Sequence, residues 1–308
     1  MTSPRSTRSI AIRLEGGLGD HILGMRVLSF VRAKYPHHDL LIYSDAAGHP
    51  TQLEIARMSP LVSAVTPVRT VDFSRTLDAI DPADREAMSV SEMVIDAWGG
   101  TLFVEAAGQL DVPVFDILSS RPRLSISPEA DRAALEFLGE NRDAPLIGLN
   151  LSKYDHSLLS EYSHLIAALL HGLLENPDVI ILNFFTSTYD FSHWQEPRRS
   201  ERRQTAERGG RFLANLTRLS DRIRPCGDLP LSTVAALINR CRYFVGLDNG
   251  IKHLAWALGV RLTLLYPMYP STDNIVRWLP DIHRMLLFDC SDDDLEMHLT
   301  DALSAASR

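Results

Sequence analysis

The stretch Tyr243-Phe-Val-Gly-Leu-Asp-Asn-Gly-Ile-Lys-His-Leu-Ala-Trp-Ala-Leu-Gly259 decides the reading of this chain. Its apolar run, Tyr243 to Leu247, reads as a buried strand. Asp248-Asn249-Gly250 closes the run with turn and cap residues, and a helical apolar pattern starts at Ile251. A strand that turns at once into a helix leaves the first amide N–H groups of that helix without intrahelical partners, aimed at whatever lies above the strand end. Such a place suits an anion, phosphate above all. Lys252, in the first turn, has the wrong charge for the helix dipole, a conflict that a negative ligand beside it resolves. Two readings stay open here: a nucleoside-diphosphate site, or an ordinary capped helix.

Outward from this stretch the chain alternates. Ser9 to Leu14 reads as a strand, Gly16-Gly17-Leu18-Gly19-Asp20 as a turn, and His21 to Lys34 as a helix that ends before Tyr35-Pro36. Strands over Leu40 to Tyr43, Leu61 to Val68 and Glu92 to Asp96 follow, with a short helix at Leu53 to Met58 and another through Ala107. An extended connection from Arg121 to Pro128 and a helix from Glu129 to Leu138 lead into a second series. That series has strands at Leu146 to Leu151, Val179 to Phe185, Tyr243 to Leu247 and Arg261 to Tyr266. Its helices are expected at Glu161 to Glu175, Leu231 to Arg240 and Lys252 to Leu258, with a last one from about Asp292 to Ala306. Strands alternating with helices on short loops predict an α/β protein with parallel sheets covered on both faces. The expected domains are 1–125, 126–290 and a terminal helix at 291–308 that packs back toward the first domain. The expected active site is the cleft facing the carboxyl ends of both sheets.

A length of 308 residues allows two domains with cores of their own. The net charge of −8 argues against a nucleic-acid partner, because no basic excess is present to neutralise phosphates along a strand. Cys226, Cys241 and Cys290 are widely spaced and form no CxxC pair, which predicts free thiols in a reducing compartment. The polar, basic Met1 to Arg8 lacks the apolar core of a secretory signal, and no apolar stretch reaches the ~20 residues of a membrane span. A cytoplasmic location is expected, with peripheral membrane contact open.

The first turn carries chemistry of its own. Glycines allow a tight bend and close approach to backbone, but Ile22 stands where a dinucleotide fingerprint GxGxxG needs its third glycine. Asp20 reads either as a first-turn carboxylate stabilised by the helix dipole or as a general base within reach of an acceptor hydroxyl. His21 could share that role or pack on the helix face. Asp96, at the end of its strand, reads as a cap, an acceptor contact or a second base. Asp292-Asp293-Asp294 is expected to cap the terminal helix rather than to bind metal. Arg198, Arg199, Arg202, Arg203, Arg208 and Arg211 read as a solvated loop, with a phosphate-bearing acceptor or anionic surface as the alternative.

With both ends in view, the chain resembles the ADP-heptose:lipopolysaccharide heptosyltransferase family, glycosyltransferase family 9. Asp248-Asn249-Gly250-Ile251-Lys252-His253-Leu254-Ala255 is similar to that family's Asp-Thr-Gly-x-x-His-Leu signature, with Asn249 in place of Thr. Asp228-Leu229-Pro230-Leu231 is similar to the segment lining the nucleotide base, and Gly19-Asp20 matches the Gly-Asp pair whose aspartate serves as base. Ile95-Asp96-Ala97-Trp98-Gly99 resembles the acceptor-side motif, and Asn150-Leu151-Ser152-Lys153 takes the place of a strand-end motif before a phosphate-binding lysine.

The resemblance implies a GT-B architecture, two Rossmann-like domains facing each other across a cleft. It implies transfer of a sugar from a nucleoside-diphosphate donor to a sugar, glycan or small-molecule hydroxyl, inverting and metal-independent, with the sugar nucleotide as co-substrate and no other cofactor. Asp20 is then the base, with Asp96 and His21 on the acceptor. Ser152, Lys153, Thr186, Leu229, Asn249, Gly250, Ile251 and Lys252 hold the donor, and Asp248 holds the turn. His253 donates to a phosphate or ribose oxygen, or else is a buried histidine bonded to backbone. The alternatives are a nucleotide-sugar epimerase or hydrolase of the same fold, or a non-catalytic nucleotide-sugar-binding protein.

Overall fold

A computed structural model of the chain describes residues 8–45, 50–68, 81–89, 91–96, 102–151, 163–185, 218–247, 249–266 and 284–287. Described residues up to Ser125 form one compact unit and those from Ile126 onward a second.

In the first unit β1 (Ser9–Leu14) leads through Gly16 and Gly17 into α1 (Leu18–Gly24). A 3₁₀ turn, Met25–Val27, separates α1 from α2 (Leu28–Lys34). The single helix expected over 21–34 is therefore two, and it starts earlier. Gly24 sits at the break, where the residue of greatest backbone freedom weakens helix continuity. Then come β2 (Asp39–Asp45), α3 (Pro50–Arg57), β3 (Ala64–Val68), α4 (Pro82–Ser89), β4 (Met93–Asp96), α5 (Leu102–Leu110) and α6 (Val114–Ser119). The sheet order is β3-β2-β1-β4, all parallel, with Ile12 facing Ile42 and Ile95 in register. Ile10, Ala11, Ile12, Arg13 and Leu14 are all buried, so β1 lies covered on both faces, as a central parallel strand must. On one face Met88 of α4 packs with Ala11, Tyr43 and Val68.

The second unit opens with α7 (Pro128–Leu138). Ser127 caps it by accepting from the Ala130 N–H at 3.1 Å, and Pro128 takes the first helical position, where its missing N–H costs nothing. The unit continues with β5 (Leu146–Asn150), α8 (Ser163–Glu175), β6 (Ile180–Asn183), β7 (Ile223–Pro225), α9 (Leu231–Arg240), β8 (Tyr243–Gly246), α10 (Gly250–Ala257), β9 (Arg261–Tyr266) and β10 (Arg284–Leu287). These strands are parallel in the order β10-β9-β8-β5-β6-β7. Counted from β5 as strand one, that is 3-2-1-4-5-6, the doubly wound dinucleotide order. Gly148 in β5 has a steric cause: a Cβ there would lie 2.4 Å from Phe244 Cδ2. The Phe244 and Phe184 rings stack over this gap, with centroids 5.9 Å apart. The α/β class with parallel sheets is as expected. The terminal helix assigned to 291–308 lies outside the described residues.

Cys226 and Cys241 are buried free thiols, while Cys290 lies outside the described residues. The Cys226 thiol meets the Asn183 carbonyl at 3.3 Å and the Cys241 thiol the Leu237 carbonyl at 3.4 Å. Burial pushes both thiols up, well away from the thiolate form that reacts. Neither is expected to react with an aromatic disulfide reagent at neutral pH in the folded protein. Titration with and without denaturant checks this: rapid labelling of Cys226 or Cys241 before unfolding would contradict the burial.

Candidate functional site

Each unit presents a polar constellation at the carboxyl ends of its strands. In the second unit it lies between β5 and β8. From β5 the chain crosses to β6 on one side, and from β8 to β9 on the other, so this crevice is the topological switch point of the sheet, where ligands of open α/β sheets bind.

Gly246 ends β8 where a Cβ would come within 3.0 Å of the Asn150 carbonyl, and the Leu247 N–H donates to that carbonyl at 2.9 Å. Asn249, extended at φ −154°, is the N-cap of α10, and its Oδ1 accepts from the Lys252 N–H at 3.1 Å. Its Nδ2 donates to Asn150 Oδ1 at 2.8 Å, and Asn150 Nδ2 donates to the Phe184 carbonyl at 2.9 Å. Two carboxamides thus tie together the ends of β8, β5 and β6. The Asn150 end is buried and the Asn249 end half-buried. With the Lys252 amide taken by the cap, the Gly250 and Ile251 amides are the helix-start donors that α10 itself does not satisfy.

Lys252 departs from expectation. Its side chain, expected in the open beside a ligand, is 1 % exposed. The burial pattern explains this: every residue of α10 from Lys252 to Ala257 is buried, so the helix is enclosed on all sides after its first two residues. His253 is buried too. Leu229 is half-buried in the turn between β7 and α9, its N–H on the Cys226 carbonyl at 3.4 Å. Ser152, Lys153, Thr186 and Asp248, together with the arginine-rich stretch 198–211, lie outside the described residues.

In the first unit the constellation surrounds the β1–α1 turn. Asp20 is exposed and sits in the first turn of α1, where its Oδ2 accepts from the Gly17 N–H at 2.9 Å. This is half of a capping box, since Gly17 has no side chain to complete the other half. Gly16, at φ +90°, wraps the carboxylate so closely that a Cβ there would be 2.6 Å from Asp20 Oδ2. His21, by contrast, is fully buried. Its Nδ1 lies 3.1 Å from the Gly17 carbonyl and its Nε2 2.7 Å from Ser44 Oγ of β2, placing the ring inside the unit. Asp96 ends β4 in register with Arg13 of β1, on the same rim as the turn, and its side chain lies outside the described residues. Among the described residues, no group of three or more His, Cys, Asp or Glu side chains could hold a metal ion. No helix there is long and apolar enough to cross a membrane.

In the sequence Asn150 stands only as the start of a strand-end motif, with no role of its own, and Ser44 has none. A further signal for Asn150 is a carboxamide ending the wholly apolar run Leu146-Ile-Gly-Leu-Asn150. A lone serine in Leu40-Leu-Ile-Tyr-Ser44 carries no such mark, because its partner is 23 residues away.

Residues 201–274 match the family model described as glycosyltransferase family 9 (heptosyltransferase). No curated protein matches the chain. Among solved structures, ADP-heptose lps heptosyltransferase II of E. coli is similar over 97% of this chain and 100% of its own, at 15% identity and TM-score 0.64. A glycosyl transferase of family 9 from Veillonella parvula is similar over 96% of this chain and 89% of its own, at 16% identity and TM-score 0.59. E. coli heptosyltransferase WaaC with ADP is similar over 97% of this chain and 99% of its own, at 15% identity and TM-score 0.54. Fold and family match together define a glycosyltransferase of the GT-B type, built from two Rossmann-like units. Within that class the chain is heptosyltransferase-like, as its resemblance to family 9 implied.

Proposed function

We propose that the protein moves a sugar from a nucleoside diphosphate to a hydroxyl of a sugar, glycan or small-molecule acceptor by in-line displacement with inversion. The observation that carries this is the β8–α10 junction: a helix start with two amides the helix does not satisfy, held at the switch point by the Asn249–Asn150 pair. Fixed donors aimed at a departing diphosphate stabilise the charge that develops there, at no cost in reorganisation. In this reading the second unit takes the donor. Asn249, Gly250 and Ile251, with Ser152 and Lys153, hold the phosphates, Leu229 packs on the base, and Thr186 meets the ribose or sugar. His253 and the buried Lys252 support the start of α10, and Asp248 holds the turn.

The first unit takes the acceptor, with Asp96 in contact with it. Asp20 removes the hydroxyl proton as the acceptor oxygen attacks the anomeric carbon, and the bond from that carbon to the diphosphate oxygen breaks. The nucleoside diphosphate leaves with the bonding electrons. Charge on it is met by amides and Lys153, so the reaction needs no metal, and a chelator leaves it unchanged. Cytoplasm, where sugar nucleotides are made, is the location this reading assigns.

Because a heptosyltransferase of the same fold is known with ADP, that diphosphate is the first to test, followed by UDP, GDP and dTDP. A ligand held only by the folded state raises its melting temperature, by about 2.7 kcal/mol of stabilisation at a hundred times Kd. Asn249→Ala removes the α10 cap, worth about 1 kcal/mol of stability, and cuts the link to Asn150. Affinity for the diphosphate is expected to fall about tenfold with it, equivalent to ~1.4 kcal/mol. An undiminished ligand-induced rise in Asn249→Ala would put the donor elsewhere.

A further inference from the structure

The β1–α1 turn contains two glycines in succession, one of them at φ +90°, and a segment of that composition has much backbone entropy to lose on being fixed. Something must hold it. The same residue, Gly17, is bonded on both sides: its N–H donates to Asp20 Oδ2 at 2.9 Å, and its carbonyl accepts from the His21 backbone N–H at 3.1 Å and lies 3.1 Å from His21 Nδ1, the contact that ties it to a second element. A carbonyl only accepts, so Nδ1 carries the proton, and in the neutral ring Nε2 accepts from the Ser44 hydroxyl at 2.7 Å. His21 and Ser44 are each 0 % exposed. An apolar side chain would fill the space under α1 equally well, but it could not join strand β2 to the turn.

We propose that His21 and Ser44 are positioning residues: a buried bridge from β2 through the imidazole to the Gly17 carbonyl that fixes the turn whose amide aims the Asp20 carboxylate. This rests on the reading of Asp20 as the base, but it is testable apart from it. Asn and Gln separate the two ring nitrogens. His21→Asn places an amide donor near the Nδ1 position and keeps the Gly17 contact. His21→Gln reaches toward Ser44 and loses the side-chain contact to the Gly17 carbonyl, leaving only the backbone one.

Amide hydrogen exchange, followed by NMR on the full chain without ligand, reads the bridge directly. Ser44→Ala and His21→Gln are expected to speed exchange at Gly17 about tenfold, the scale of one lost buried hydrogen bond. Exchange at Ile12 in β1 should stay unchanged, and His21→Asn should restore most of the Gly17 protection. A general loss of packing would instead raise exchange in β1 and α1 together and make His21→Asn no better than His21→Gln, and that result overturns the proposal. So does unchanged Gly17 exchange in Ser44→Ala and His21→Gln. Loss of turnover in Asp20→Asn reports on the base, not on the bridge, so failure of one is told apart from failure of the other.

Discussion

Asp20→Asn is expected to lower kcat for sugar transfer by about 10²–10⁴-fold, the usual contribution of a positioned base, with no change in nucleoside-diphosphate affinity. The substitution is nearly silent structurally. Asn keeps an oxygen that can accept from the Gly17 N–H, as Asp20 Oδ2 does at 2.9 Å, so the turn and the start of α1 stay as they are. What goes is the negative charge and the capacity to take up a proton. Asp20 is exposed on the rim where β1 ends, whereas Glu15, beside the same turn, is paired with the buried Arg13 at 2.6 Å. Acceptor-dependent release of nucleoside diphosphate, measured beside a melting curve, decides the matter. Full turnover in a folded Asp20→Asn protein would remove Asp20 from the mechanism and turn attention to Asp96.

Gly16→Ala is expected to have the next largest effect, on both stability and rate. The new Cβ would lie 2.6 Å from Asp20 Oδ2, 2.8 Å from its Cβ and 2.9 Å from its Cγ. The clash involves the root of the side chain as well as its tip, so a rotamer change cannot relieve it alone. The backbone at φ +90° adds a conformational cost of roughly 1–2 kcal/mol for any residue with a Cβ. Unfolding should become easier by about 1–3 kcal/mol, and kcat should fall more than about tenfold as the carboxylate leaves the Gly17 amide. Gly17→Ala is the control: its Cβ would meet Asp20 Oδ2 at 3.7 Å, an ordinary contact, and its φ of −79° suits any residue. Equal losses in the two variants would show that turn flexibility, not the fit of Gly16 around Asp20, sets the rate.

Much of this architecture was legible because its signals are local. Tyr243 to Leu247 is apolar, Asn249 is a good cap, and the helix that follows is periodic, so the junction at α10 could be read directly. The β1 turn was equally plain. What escaped was short or long-range. β7 is three residues, Ile223–Pro225, too brief for any periodicity, and it exists because Asn183 and Cys226 pair across it. α4 and α6 lie in polar or Pro-flanked segments, and their packing stabilises them more than their propensity does. The break at Met25–Val27 is hidden inside an apolar stretch that reads as one helix. At the site, residue identity marked Asp20 and Asn249, but neither decided between the two readings of His21 nor showed that Lys252 is buried. That depends on which neighbours cover them, which only the tertiary fold decides.

The pairing of β5 with β8 closes a chain segment of nearly a hundred residues, since Asn150 and Asn249 are 99 positions apart. Such closures are slow to form, because chain entropy is lost before the contact repays it. A nascent polypeptide that has emerged only as far as β7 has Asn150 without its partner, and no helix start beside it. Any ligand gripped at that crevice therefore engages only after β8 has docked beside β5 and the helix start behind it has formed. It would act as a late clamp, giving no help to the earlier stages of assembly.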